Sequence, residues 1–496
     1  MEQKPKLAQY KKDILICFIL IVFTCLIFLP FLQGHYIPDT YNIIEKGLEG
    51  YSMDNSFSDG RMIMGLLNLL VLKLNIPIIA YVIGTLLVAI VLSCVVVILL
   101  KNSIERYRKI ENKWIEILVL VLSYVTIFNF MYLEQLYFIE CIVMAVSLLL
   151  YTIGANILVD RKKGYLWKSA FCVISGMLCY QGTVGFFLVL VLLYSIFKNR
   201  DRVIYIVRDV ILSGGLVVIA GLVNLGCVKV FTTYFHTTQN RLSTNIFENI
   251  LTILTNISKT LTNTCGMLPK NWLLIFLSIT VIIAVITIVE KYKKKSGKQT
   301  VLWFILIAFV IASSFASSVL SKSSFWAPRM RFSLGALIGI LYLYLYVTTD
   351  LFQKKNILKI MAIAVITLYG SCNLYQYITI IHQGKMMNQV EKEECQRIKA
   401  HMQEYEEETG IKVTKIGRVF TTSHNRNLYL PNYLNPNTTV FNSTKCWWSA
   451  KGVIYFYTGR RLEHVDVGVE EKKILEDSGQ EWLCIGDVLY IFIYQT

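Results

Sequence analysis

Twelve cysteines occur in this 496-residue chain, yet no two form a C-x-x-C pair. Thiolate metal sites and dithiol redox centres use that spacing, so neither is expected. No P-loop or G-x-G-x-x-G stands in a strand–helix setting, which removes the common nucleotide-binding devices. No stretch interleaves basic and aromatic residues in the manner of a single-strand nucleic-acid groove. Repeats and low-complexity tracts are absent, and prolines number only 8. The net charge of +16 therefore needs an explanation other than nucleic acid.

What the chain does have is apolar sequence, 55% of its residues, with a mean hydropathy of +0.53. Runs such as ILICFILIVFTCLIFLPFL (14–32) are about 20 residues long, enough to cross the hydrocarbon core as a helix. The reading is a polytopic α-helical membrane protein. The first span has no small-residue cleavage site and is expected to stay as an anchor. Eleven spans are expected, near 14–32, 78–100, 114–130, 136–158, 169–180, 182–197, 209–231, 271–290, 301–319, 332–347 and 359–381. The stretch 169–197 is divided at Tyr180-Gln181-Gly182, because one long span would reverse the charge pattern of everything after it.

That pattern explains the net charge. Alternate loops are basic, among them Lys101–Lys113, Arg161–Lys168, Lys198–Arg208 and Lys291–Lys298. Cytoplasmic loops carry such an excess of Lys and Arg. The N-terminus is thus expected in the cytoplasm, with the 33–77 loop and everything from 382 extracytoplasmic. Eight cysteines (17, 25, 94, 141, 172, 179, 227 and 372) fall in apolar runs. Cys446 and Cys484 lie in the polar tail, where a disulfide is an option and two free thiols are expected.

Two domains follow, a transmembrane domain over 1–381 and a small extracytoplasmic α/β domain over 382–496. In the tail, 388–409 reads as a charged helix, and 413–422, 452–459 and 488–494 read as strands. The segment 61–74 is either an interfacial amphipathic helix or an extension of the second span.

The polar residues of the outer segments are the candidates for chemistry. Asp39 is either a general base on an acceptor hydroxyl or an acid at the start of a short helix. In Asp59-Gly60-Arg61 the glycine permits a sharp turn. Its arginine serves as a phosphate clamp or pairs with Asp59. Glu134, Gln135 and Glu140 flank the start of the fourth span, where ionisable groups point to function or to a buried partner. Tyr180 and Gln181 sit at the same level, and an amide there suits a sugar hydroxyl. Arg329 and Arg331 follow Trp326 at an outer interface, against the usual charge bias, and fit a lipid-linked phosphate or simple headgroup contact. His236 and Arg241 are single residues with no identified partner.

Taken in order, the Asp39 region, the D-G-R at 59–61, the Y-Q-G at 180–182, the A-P-R at 327–329 and the closing EWLCIGDVLYIFI (481–493) resemble the membrane glucosyltransferases of bacterial serotype conversion, the Gtr type II family. The resemblance covers nearly the whole chain through short motifs. It implies a GT-C-like architecture with a catalytic acid in the first extracytoplasmic loop. The donor would be a polyprenyl-phosphate-linked sugar, probed by Arg61, Arg329 and Arg331, and the acceptor a cell-envelope glycan. Family members often carry two adjacent aspartates at the first position. Here Thr40 follows Asp39, so the base is either Asp39 or Asp59, with Asp39 favoured because the resemblance places the family's acid there, and metal use stays open with a divalent cation as one option. The sequence-level rivals are a flippase of lipid-linked sugars, a polysaccharide ligase or polymerase, and a membrane scaffold presenting the tail.

Overall fold

The computed structural model describes residues 3–108, 110, 113–199, 202–237, 245–264, 267–292, 304, 308–309, 311–319, 327–348, 356–421 and 442–494. The chain divides into two compact units, Met1–Phe28 with Met53–Leu67 and Gly84–Tyr377, and Leu29–Ser52 with Asn68–Ile83 and Ile378–Thr496.

Its helices are α1 (Gln3–Ile27), α2 (Leu29–Leu32), α3 (Pro38–Tyr51), α4 (Met62–Lys73), α5 (Ile78–Tyr107), α6 (Lys113–Ile127) and α7 (Phe130–Tyr137). Next come α8 (Cys141–Asp160), α9 (Tyr165–Cys179), α10 (Val184–Asn199), α11 (Val203–Phe235), α12 (Ile246–Thr262) and α13 (Trp272–Tyr292). A short α14 (Ala316–Val319), α15 (Phe332–Thr348) and α16 (Asn356–Thr409) follow. Among the described residues, five helical runs are long and apolar enough to cross a membrane: Ile78–Tyr107, Cys141–Asp160, Gln181–Asn199, Val203–Phe235 and Pro328–Val347. The pair α6 and α7, bent by 52°, makes a sixth if it forms one span. The chain is a helical membrane protein. Eleven spans exceed this count because several apolar helices, such as Tyr165–Cys179, are short. Seven of the nineteen residues of 301–319 lie outside the described residues.

Breaks in the helical unit occur where polar side chains replace backbone partners. Asn129 caps α7 by accepting from the Met131 N–H at 3.0 Å, while its own amide donates to the Thr126 carbonyl at 2.9 Å. Tyr180 is extended (φ −160°, ψ 118°) and separates α9 from the 3-10 turn Gln181–Thr183 that opens α10, so the chain does break at the expected residues. Gly335 and Gly339, four apart on α15, let that helix approach α6 closely. A Cβ on them would lie 2.2 Å from the Asn129 Oδ1 and 2.1 Å from the Thr126 Oγ1. Small residues at this spacing are a common way for membrane helices to pack.

The second unit is built on a four-stranded sheet of order β2-β1-β4-β3, with β1 (Lys415–Thr421), β2 (Glu463–Val465), β3 (Trp482–Ile485) and β4 (Val488–Tyr494). β1 lies parallel to both β2 and β4, and β3 returns antiparallel through Gly486-Asp487. β4 is apolar at every position described as buried because both of its faces are covered. Leu489, Ile491 and Ile493 pack with Tyr41, Ile398, Met402, Val453 and Ile454, whereas Val488, Tyr490 and Phe492 meet Leu475 of α18 (Val469–Ser478).

One tail expectation needs correction, and another is met within a longer element. Residues 452–459 are not a strand; they belong to α17 (Ala450–Thr458), ended by Gly459 at φ +74°. Their β-branched and aromatic composition suggests a strand, but Ala450, Val453 and Ile454 are buried at helical spacing. The charged helix 388–409 is the last part of α16, which runs for 54 residues from Asn356. Residue 382 therefore falls inside a continuous helix. The 61–74 segment forms the separate helix α4, with the chain turning at 74–77 before α5.

Candidate functional site: a buried charge cluster

Three sequence-distant stretches meet in the helical unit, and each is shaped by a local break. The first is the turn after a π-helical segment, Ser52–Phe57. Gly60 there has φ +79°, a conformation that favours glycine, and the carbonyls of Asp59 and of Gly60 itself are held by side chains from elsewhere. Gln181 Nε2 donates to the Asp59 carbonyl at 3.0 Å, and Asn224 Nδ2 donates to the Gly60 carbonyl at 2.7 Å. Gln181 also donates to Asn224 Oδ1 at 3.3 Å. A Cβ at position 60 would lie 2.4 Å from that same Oδ1.

Arg61 leaves this turn and pairs with Glu140, both nearly solvent-free. Its guanidinium also lies over the Tyr180 ring, 5.5 Å from the centroid. Glu140 occupies the N-cap of α8 without using its side chain as the cap, which leaves the carboxylate to the arginine.

Glu134 sits on α7 and grips the 3-10 turn Pro328–Arg331 at two points. Its Oε1 accepts from Arg329 Nη1 at 2.7 Å, and its Oε2 accepts from the Arg329 backbone N–H. Beside it, Gln135 Nε2 donates to the Arg329 carbonyl at 2.8 Å. The Gln135 side-chain oxygen, Oε1, is buried and has no hydrogen-bond partner among the described residues. Arg329 stacks over the Phe138 ring at 4.2 Å, and Arg331, also buried, acts electrostatically on Glu134. The Tyr180 hydroxyl reaches Met330 Sδ at 3.6 Å and so joins the two halves.

The helical unit thus gathers Asp59, Arg61, Glu134, Gln135, Glu140, Tyr180, Gln181, Arg329 and Arg331. Arg61 is held by Glu140, and both glutamine amides are engaged by backbone carbonyls. Asn224 was missed by sequence reasoning; its signal was an amide inside the apolar run of α11, a placement that points to a buried partner. His236 ends α11 in a left-handed conformation (φ 53°), while Arg241 and Trp326 lie outside the described residues.

Asp39 belongs to the second unit. It stands in the first turn of α3, after Pro38 and the N-cap Ile37, where a negative charge meets the positive helix end. Its Oδ1 accepts from the Trp448 indole N–H at 3.1 Å. Nearby, the buried Glu391 ties three segments together. It accepts from the Tyr41 hydroxyl at 3.0 Å, the Asn388 amide at 3.0 Å and the Ser443 N–H at 2.7 Å. Burial pushes its carboxyl up to about 7 despite those donors. Burial would raise Glu394 too, yet Lys445 at 2.6 Å and donors from Thr444 and Asn442 hold it below the ordinary value. Cys446 and Cys484 are free, buried thiols.

No group of three or more His, Cys, Asp or Glu side chains among the described residues is placed to hold a metal ion. Among the described residues, then, no ligand set fits a resident divalent cation. No protein-family model matches the chain, and no curated protein matches it.

Proposed function

We propose that the chain is a membrane glycosyltransferase that moves a sugar from a polyprenyl-phosphate donor to a cell-envelope glycan. The supporting observation is the convergence of the D-G-R, Y-Q-G and A-P-R stretches, up to 270 positions apart (59 to 329), on one buried cluster. A buried cluster of ionisable groups is costly, and such a cluster is a default pointer to a site.

Its charges suit this reaction. Arg61, Arg329 and Arg331 stand against Asp59, Glu134 and Glu140, three basic side chains to three acidic ones. In transfer, the acceptor oxygen bonds to the anomeric carbon and the bond from that carbon to the phosphate oxygen breaks. The acceptor proton passes to a carboxylate, and the lipid phosphate departs with one more negative charge. Protonating the base makes the cluster more positive by one charge at that moment, which stabilises the departing phosphate. We assign the base to Asp59, which shares the cluster with the arginines, and place Asp39 second. The orphan Gln135 oxygen would accept from a sugar hydroxyl. The sugar, expected to be glucose, the extracytoplasmic site and the GT-C-like architecture belong to this same reading.

Sugar transfer from a polyprenyl-phosphate donor in proteoliposomes, normalised to folded protein, tests it. Asp59→Asn should lose roughly 10²–10⁴-fold in rate, with Asp39→Asn losing less. Full activity in both variants and in the double variant would overturn the assignment. The buried Arg–Glu pairs also favour one second reading, a transporter of lipid-linked sugar. It predicts movement of the donor across the bilayer with no transfer product.

A further inference from the structure

α12 carries three distinct faces. Seventeen residues at 1.5 Å each give a helix of about 26 Å, and successive side chains turn by about 100°. Asn249 and Ile253 face the protein and are buried. The next sector holds Phe247, Ile250, Leu251 and Leu254, which are 72%, 40%, 47% and 60% exposed. The third sector holds Glu248, Thr255 and Lys259, all exposed. The order around the helix is protein, apolar, polar.

We propose that α12 lies in the membrane interface, its apolar sector seated among the lipid chains of one leaflet and its polar sector in water. This rests on the membrane reading of the spans and not on sugar transfer. A helix fully surrounded by lipid would not expose Glu248 and Lys259, and one surrounded by water would not expose a stripe of four large apolar side chains. The lipid occupant follows from continuity. The chain enters α12 from α11, whose last turns expose Val230 and Tyr234 at 71% and 76%. It leaves toward α13, which packs against α12 and exposes Ile275 and Ile282. The apolar stripe thus follows α11, which is long and apolar enough to cross a membrane, and packs beside the apolar α13, whose exposed side chains are of the same kind.

The docked face gives this placement a consequence for the charge cluster. Asn249 Nδ2 donates to the Val319 carbonyl at 2.8 Å, at the end of α14. From the same short helix, Ser317 Oγ donates to the Met330 carbonyl at 2.5 Å, next to Arg329. A helix fixed at the bilayer surface thereby holds the arginine turn at the same depth, where phosphate headgroups lie.

The test uses the full-length protein in phosphatidylcholine–phosphatidylglycerol vesicles containing a lipid with a diazirine on its acyl chain. After irradiation, adducts are mapped by mass spectrometry. They should fall on Phe247, Ile250, Leu251 and Leu254 and spare Glu248, Thr255 and Lys259. A Phe247→Ser/Leu254→Ser variant should lose adducts at Ile250 and Leu251 while keeping those on α11. Adducts on Val218 and Leu222 of α11 with none on α12 would overturn the proposal. So would adducts spread evenly over all three faces, or protection of the stripe by a second copy or another protein.

Discussion

Glu391→Gln should flatten the pH dependence of stability in the second unit. The wild-type carboxyl is buried, and its folded-state value of about 7 stands above the ordinary 4.5. Between these values the folded state keeps a proton that the unfolded chain has released. Stability from this group is thus complete below the unfolded value and is lost as pH rises through the folded one. The gap is 7 − 4.5 = 2.5 units, which corresponds to about 3 kcal/mol at 1.36 kcal/mol per unit. Melting of the full-length protein in detergent micelles, followed by tryptophan fluorescence from pH 5 to pH 8, measures the effect. Subtracting the Glu391→Gln curve removes every other titration. The wild-type advantage at pH 5 should shrink by roughly several degrees at pH 8. A constant difference would refute the reasoning. A wild type that gains with rising pH would show that the donors from Tyr41, Asn388 and Ser443 outweigh burial and hold the charged form.

Three further outcomes follow from the packing. Arg329→Ala strands Glu134 without its partner and should cost about 3–5 kcal/mol, whereas Arg329→Ala/Glu134→Ala should recover most of it; thermal melts of the single and double variants decide this. Gly452→Ala places a Cβ 2.1 Å from the Tyr41 carbonyl oxygen, so α17 must shift off α3, at about 1–3 kcal/mol, with faster alkylation of buried Cys446 as the readout. For sidedness, Lys73→Cys and Ser478→Cys, both at exposed positions, should label from outside intact cells, and Lys163→Cys only after permeabilisation. Ser56 is fully buried and unsuited to such labelling.

What could be read in advance divides by the physics of the signal. Spans depend on composition over about 20 residues, so α5, α8 and α11 stood out as apolar runs, and the break at Tyr180 followed from the charge pattern. The run 452–459 misled because its aromatic and β-branched residues suit either state, and only the partner surface, Tyr41 and its carbonyl oxygen, selects the helix. The length of α16 was hidden for a related reason. Its change from apolar to charged residues near 385 looks like a domain edge, although helix propensity runs straight through it. Among the candidate site residues, type was legible and pairing was not. An arginine after a glycine announces a turn, but nothing near Arg61 in sequence points to Glu140, 79 positions away. Asn224 shows the limit most clearly. One amide in an apolar run signals a buried partner, and the partner is a carbonyl made available only because Gly60 adopts a positive φ 164 positions earlier.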